Sequence, residues 1–181
     1  MKHLPTRKAN RLNNYDYSQN GAYFITICTK KRAEFFGEIT GDTAVGDAVH
    51  SVPHMHLSEY GIIAERILNT GGNSDVCLDT FVIMPNHVHM ILIVLKRNPH
   101  KGNAGRCGQR PLHDTNDRRK SLISTFVRSF KTMTTKQIGF SLWQRSFHDH
   151  VIRTQEDYNR IAEYIVQNPS IWPEDCYNSP K

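Results

Sequence analysis

Residues 76–95 read VCLDTFVIMPNHVHMILIVL, and this stretch decides the fold. Val76 to Met84 and His87 to Leu95 are two apolar runs split by Pro85-Asn86, the pattern of neighbouring strands at the centre of a sheet with both faces covered. Upstream, Ala22 to Cys28 (AYFITIC) is rich in aromatic and β-branched residues and reads as a first strand. Phe35 to Ile39 adds a short hairpin strand, and the stretch from Gly41 to Pro53 reads as a loop. Between the first strand and the deciding pair, Ser58 caps a helix on which Tyr60, Ile63, Ala64, Ile67 and Leu68 recur at helical spacing until Asn69-Thr70-Gly71-Gly72 ends it.

Downstream, residues 97–117 are rich in Gly, Asn and Arg without periodicity and read as a basic loop. A second helix follows, with Leu122, Ile123, Phe126, Val127, Phe130 and Met133 on its apolar face and Arg128, Lys131 and Lys136 on its polar one. Trp143 to Ile152 reads as a strand. Thr154 with Asp157 opens a final helix that runs to Asn168 and is closed by Pro169. The order β-α-β-β-α-β-α is that of an α+β fold: a ferredoxin-like antiparallel sheet with helices on one face, plus an extra C-terminal helix that carries Tyr164 and can lie across the sheet. Residues 1–20 form a polar, basic arm and 21–181 a single domain.

Composition narrows the class. The chain has 181 residues, 38% hydrophobic and 22% charged, enough for one core and far from a disordered tail. Cys28, Cys77, Cys107 and Cys176 form no CxxC pair, so neither a zinc ribbon nor a disulfide framework is indicated and a reducing cytoplasm fits. The longest apolar run, Met90 to Leu95, is too short to span a bilayer, and Met1 to Pro5 does not begin a signal peptide. Net charge is +6, and residues 96–136 hold eleven of the 23 Lys and Arg against Asp114 and Asp117 alone. A smaller basic group, Lys2, Arg7, Lys8 and Arg11, lies on the arm. Such regional charge suggests a polyanionic partner.

His87 and His89 are two apart on a strand, so both imidazoles point to one face and can share a metal. Tyr164 and Asn168 are four apart on the last helix and share its face, which sets a phenol beside an amide oxygen. Two imidazoles and a neutral oxygen leave positions open for water and phosphate oxygens, as Mg²⁺ or Mn²⁺ requires. Tyr158 is the rival nucleophile, but four residues on stands Ala162, which ligates nothing. Glu163 and Gln167 are the rival third ligands and lie farther round the helix from Tyr164. A second His-x-His, His54 and His56, falls in the loop before the first helix and reads as surface without a site.

The chain also resembles the single-tyrosine HUH transposases of insertion sequences, and most closely the REP-associated tyrosine transposases. The resemblance runs from Tyr15-Asp16-Tyr17 and Tyr23-Phe24-Ile25-Thr26 through Val82-Ile83-Met84-Pro85-Asn86-His87-Val88-His89 to Trp143-Gln144-Arg145, His150-Val151-Ile152-Arg153 and Tyr164-Ile165-Val166-Gln167-Asn168-Pro169. It implies that His87, His89 and Asn168 hold the divalent metal, that Tyr164 is the nucleophile, and that the fold is ferredoxin-like. It implies a monomer or a homodimer.

Attack by Tyr164 on a DNA phosphodiester would give a 5′-phosphotyrosine and a free 3′-hydroxyl, so that strands are transferred rather than hydrolysed. The phenolic proton would pass to water or to a neighbour such as His148 or His150. Single-stranded or hairpin DNA is the expected substrate, with Arg118, Arg119, Lys120, Arg128 and Lys131 along its phosphates, and Arg7, Lys8 and Arg11 reading a tag beside a hairpin. Two competing functions are a non-catalytic module that binds single-stranded nucleic acid on Tyr23 and Phe24, and a water-using metal nuclease in which Tyr164 is structural.

Overall fold

Alternation along one strand organises the molecule. A computed structural model describes residues 15, 19–41, 53–71, 75–95 and 121–178. Strand β5, His87–Val94, is buried at seven of its eight positions and lies between β4 (Val76–Met84) and β1 (Gly21–Cys28), to which both pairings are antiparallel. Its even-numbered residues Val88, Met90, Leu92 and Val94 enter the main core. Its odd-numbered ones face the other way, where Ile91 joins a second cluster. A period of two therefore gives one strand two different interiors.

The four-stranded sheet has the order β4-β5-β1-β6, with β6 at His148–Ile152 antiparallel to β1. Together with helices α1 (Glu59–Thr70), α2 (Leu122–Ile138) and α3 (Gln155–Gln167), this is the α+β arrangement expected. Helix α1 contributes Ala64, Ile67 and Leu68 to the main core and α2 contributes Ile123, Val127 and Phe130. Each of these side chains larger than alanine, fully buried, favours the folded state by about 1.5–3 kcal/mol. Helix α3 packs Ile161 and Ile165 on Ile91 and Ile152 of the opposite face. All three helices begin where a side-chain oxygen meets an orphan amide: Ser58 accepts from Gly61 N, Ser121 from Ser124 N and Thr154 from Asp157 N.

Several details differ from the sequence reading. Strand β4 is an edge strand, not a central one, and most of its middle is only partly buried. The strand read as 143–152 is shorter, because Trp143 makes only an isolated bridge to Thr29 and turns inward to pack on Phe36 and Phe130. Its indole N–H donates to Thr134 Oγ1 at 2.6 Å, so buried Thr134 takes the core position assigned to Met133, which is 39% exposed. His54 and His56 are not in a loop: His54–Leu57 is strand β3, paired with β2 (Gly37–Thr40) in a separate two-stranded ribbon. The rest of the 41–53 loop, the 97–117 loop and the 1–14 part of the arm lie outside the described residues.

The ribbon seats directly on the start of α1. A Cβ on Gly61 would come within 2.3 Å of Phe36 O and 2.9 Å of Leu57 Cδ2. A helical Gly→Ala change ordinarily gains about 1 kcal/mol; Gly61→Ala should instead lose about 1–3 kcal/mol. Urea denaturation measures this, and a raised midpoint would contradict the close seating.

Candidate active site

The face of β5 that looks toward α3 carries His87 and His89, 0% and 1% exposed. Their Nε2 atoms converge to 3.0 Å, and their ring centroids stand 4.4 Å apart. Register decides what lies behind them. Thr26 of β1 is directly opposite His89, and its Oγ1 is 2.8 Å from His89 Nδ1. Asn86, in the turn before β5, sets its Oδ1 2.8 Å from His87 Nδ1.

Helix α3 supplies the next group. Its Ile161 and Ile165 anchor it to the sheet, and the neighbouring helical row presents Tyr164 and Asn168 to the imidazoles. Tyr164 Oη lies 3.4 Å from His89 Nε2, with the phenol ring 5.4 Å from that imidazole and 6.2 Å from Phe24. Asn168 is fully buried. Its Nδ2 donates to Asp175 Oδ2 at 3.4 Å, while its Oδ1 is buried with no hydrogen-bond partner among the described residues. A buried amide oxygen without a donor is costly, and a cation satisfies it.

The segment after α3 closes the arrangement, and sequence reasoning missed it. A ligand atom from each of His87, His89 and Asp175 lies within 4.8 Å of the others, so these three could hold a metal ion. Tyr177 packs its ring 4.5 Å from that of His87, with Trp172 at 5.9 Å. Arg32 fastens this segment through Nη1 to Cys176 O at 2.6 Å and lies over the Tyr177 ring. The donor set comprises two imidazole nitrogens and a carboxylate, the last bonded to the Asn168 amide whose own oxygen is orphaned, and such a set fits a divalent cation.

Burial fixes the electrostatics. Desolvation, with His89 close by, pulls His87 down to about 2; desolvation pulls His89 down to about 3. Both rings are therefore neutral, the form that ligates. Burial, then the Asp175 carboxylate, raises the Tyr164 phenol above its ordinary value, against a hydrogen bond from Asn168 that lowers it. Tyr177 is pushed up to about 12, chiefly by burial.

The rivals are placed elsewhere. Tyr158 Oη donates to Asp79 Oδ2 at 2.5 Å, on the edge strand. Gln167 donates to Glu163 at 2.9 Å on the exposed side of α3. His150 is tied to Asp157 at 2.8 Å, whereas exposed His148 stands opposite Thr26 in register. Tyr23 is fully buried, with its hydroxyl on Gln19 O, and Phe24 lies against His89 and Tyr164. Tyr23 is therefore closed to base stacking, while Phe24 is only partly buried. Of the expected DNA contacts, Arg128 is exposed on α2. Lys131 Nζ donates to Gln144 O and Ser146 O at 2.8 and 2.9 Å. Arg7, Lys8, Arg11, Arg118, Arg119 and Lys120 lie outside the described residues.

The neutral His pair makes a pH prediction. Unfolded, each ring titrates at its ordinary 6.5; folded, at about 2 and about 3. Between those values the unfolded chain binds protons that the folded one refuses, so their contribution to stability is full above 6.5 and is lost as pH falls below it. Each ring contributes at most about 1.4 kcal/mol per pH unit. Denaturation of chelator-treated protein at about pH 7.5 and about pH 5 should show this loss, and a His87→Gln/His89→Gln variant should show a shallower one. Equal slopes would mean that the rings are not held neutral.

No family model matches the chain. It is 32% identical over 179 residues to an uncharacterized protein of Haemophilus influenzae, a match that covers 93% of this chain and 91% of that one. Among solved structures, it is similar to the REP-associated tyrosine transposase bound to a REP hairpin, with a TM-score of 0.52 and 17% identity, over 88% of this chain and 72% of that one. The chain belongs to one family with the Haemophilus influenzae protein, and its fold is that of the REP-associated tyrosine transposase.

Proposed function

We propose that this chain is a metal-dependent DNA strand transferase that cleaves and rejoins single-stranded or hairpin DNA through a covalent 5′-phosphotyrosine on Tyr164. One observation carries the reading: a phenolic oxygen 3.4 Å from one of two imidazole nitrogens that converge, neutral and buried, with the Asp175 carboxylate in ligand reach of both. A phenol, two metal-ligating nitrogens and a carboxylate oxygen within one chain make up the minimal equipment for tyrosine attack on a phosphodiester. The solved structure of similar fold holds a REP hairpin, which supports hairpin DNA as the substrate class.

His87, His89 and Asn168 would hold the cation, Mg²⁺ or Mn²⁺, with Asp175 as a further oxygen donor. The bound ion supplies Lewis-acid polarisation of the phosphate and offsets the charge that develops on its oxygens. The chain does the rest. Helix α3 holds Tyr164 over the ligand row, so that attack on phosphorus has no orientation left to find. Tyr164 Oη forms the bond to phosphorus and the 3′-oxygen leaves with its electron pair; a second 3′-hydroxyl reverses the exchange without a nucleotide cofactor. Burial and Asp175 disfavour the phenolate in the resting protein, so the nucleophile is activated only when positive charge arrives. His148, exposed at the sheet edge on the Thr26 and His89 face, is the neighbour available to take the proton. Exposed Arg128 and the remaining donor of Lys131 are the described candidates for the phosphate track, with Arg7, Lys8, Arg11, Arg118, Arg119 and Lys120 completing it.

Incubation with labelled hairpin DNA and Mn²⁺, followed by denaturing electrophoresis, should reveal a covalent adduct. Tyr164→Phe should abolish it, a loss of at least about 10³-fold; Tyr158→Phe and Tyr177→Phe should retain it. Persistence of the adduct in Tyr164→Phe would defeat the assignment.

A further inference from the structure

Asn86 is 2% exposed and has no place in the chemistry so far described, yet it is tied on every side. Its Nδ2 lies 2.9 Å from Tyr177 O and 3.3 Å from Arg32 O. Its main-chain oxygen accepts from Thr29 N at 2.9 Å and from Thr29 Oγ1 at 3.0 Å. Carbonyl oxygens only accept, so the atom that faces two of them must be the NH₂ group, and the amide orientation follows from its partners. Oδ1 is thereby left to face His87 Nδ1 at 2.8 Å. An amide oxygen has no proton to give, so Nδ1 of neutral His87 must carry it and Nε2 must hold the lone pair.

The second ring has a different partner. His89 Nδ1 meets Thr26 Oγ1 at 2.8 Å, and a hydroxyl both donates and accepts. Two bare lone pairs 3.0 Å apart would repel, so without a cation the Nε2–H belongs to His89 and points at His87 Nε2. Thr26 then donates to His89 Nδ1. Were both rings to ligate a cation through Nε2, the His89 proton would sit on Nδ1 instead, with the Thr26 hydroxyl turned to accept it. No net proton is gained or lost.

We propose that Asn86 is a positioning residue that locks His87 in the one tautomer able to ligate, while Thr26 is a reversible partner that lets His89 change tautomer as the metal enters. This rests on the metal-site reading above and deepens it, since one ring is preset and the other adapts. Partners of this kind commonly change metal affinity 10- to 100-fold.

The direct test is long-range ¹⁵N–¹H NMR on chelator-treated, histidine-labelled full chain. His87 should show a protonated Nδ1 and a bare Nε2, with the reverse at His89; an Nε2–H tautomer at His87 overturns the proposal. Calorimetry with Mn²⁺ gives the second readout. Asn86→Leu should weaken binding about 10- to 100-fold and Thr26→Val about 10-fold. Wild-type affinity in Asn86→Leu also overturns it, and if that variant fails to fold, the wild-type tautomers and Thr26→Val decide. His87→Ala that leaves Mn²⁺ binding untouched would remove the metal-site reading itself, and this inference with it.

Discussion

Two imidazole nitrogens are held 3.0 Å apart where neither ring can be charged, and the rest of the site answers to that constraint. A polar group buried without a partner costs folding free energy, and a protonated pair at this distance would cost more. The protein meets the cost on three sides of the pair with Asn86, Thr26 and the stacked ring of Tyr177. On the fourth side stands Tyr164 Oη, and Asp175, in ligand reach of both rings, is bonded to Asn168. His87, His89 and Asp175 together could hold a metal ion there.

The sheet makes the arrangement rigid. β5 is hydrogen-bonded on both edges, so its side chains have no freedom to slip in register, and a shift of one residue would send both imidazoles into the aliphatic core. Val88 and Met90, buried between and beyond the histidines on the opposite face, therefore act as the register lock for them. Helix α3 has the complementary role. Ile161 and Ile165, one turn apart, fix its rotation on Ile91 and Ile152, and that rotation brings Tyr164 and Asn168 to the ligand row while Glu163 and Gln167 remain outside.

What the sequence disclosed follows from periodicity. The His pair, the Tyr–Asn pair and the helix caps were legible because each is a local pattern of period 2 or 3.6, or a capping residue at a helix start. What it withheld depends on contacts between distant parts of the chain. Asp175 and Tyr177 lie in an irregular segment after Pro169 where no period announces a role, and only the folded path of 168–178 lays them on His87. The role of Thr26 follows from strand register, which its own neighbours do not encode. The apolar content of β4 suggested a central strand because side-chain character alone does not say which strand has a hydrogen-bonding neighbour on each side. His54 and His56 were read as loop because β3 is four residues long, shorter than a period-two signal needs.

The chemistry of the donor set bears on how the proposed reaction is driven. Two neutral imidazoles and a neutral amide contribute no charge, so a divalent ion bound by them alone keeps its full field for the phosphate and the nucleophile. Asp175 changes this balance, since one carboxylate cancels half of that field and also raises the Tyr164 phenol. The same residue would add affinity for a bound cation and, at rest, disfavours the Tyr164 phenolate. Its Oδ1 is engaged by Tyr177 N at 2.7 Å and its Oδ2 by Asn168 Nδ2 at 3.4 Å, so its carboxylate is held by its own segment as well as by the site. Asp175 thereby links the candidate ligand row and the phenol through one carboxylate, whose charge reaches both.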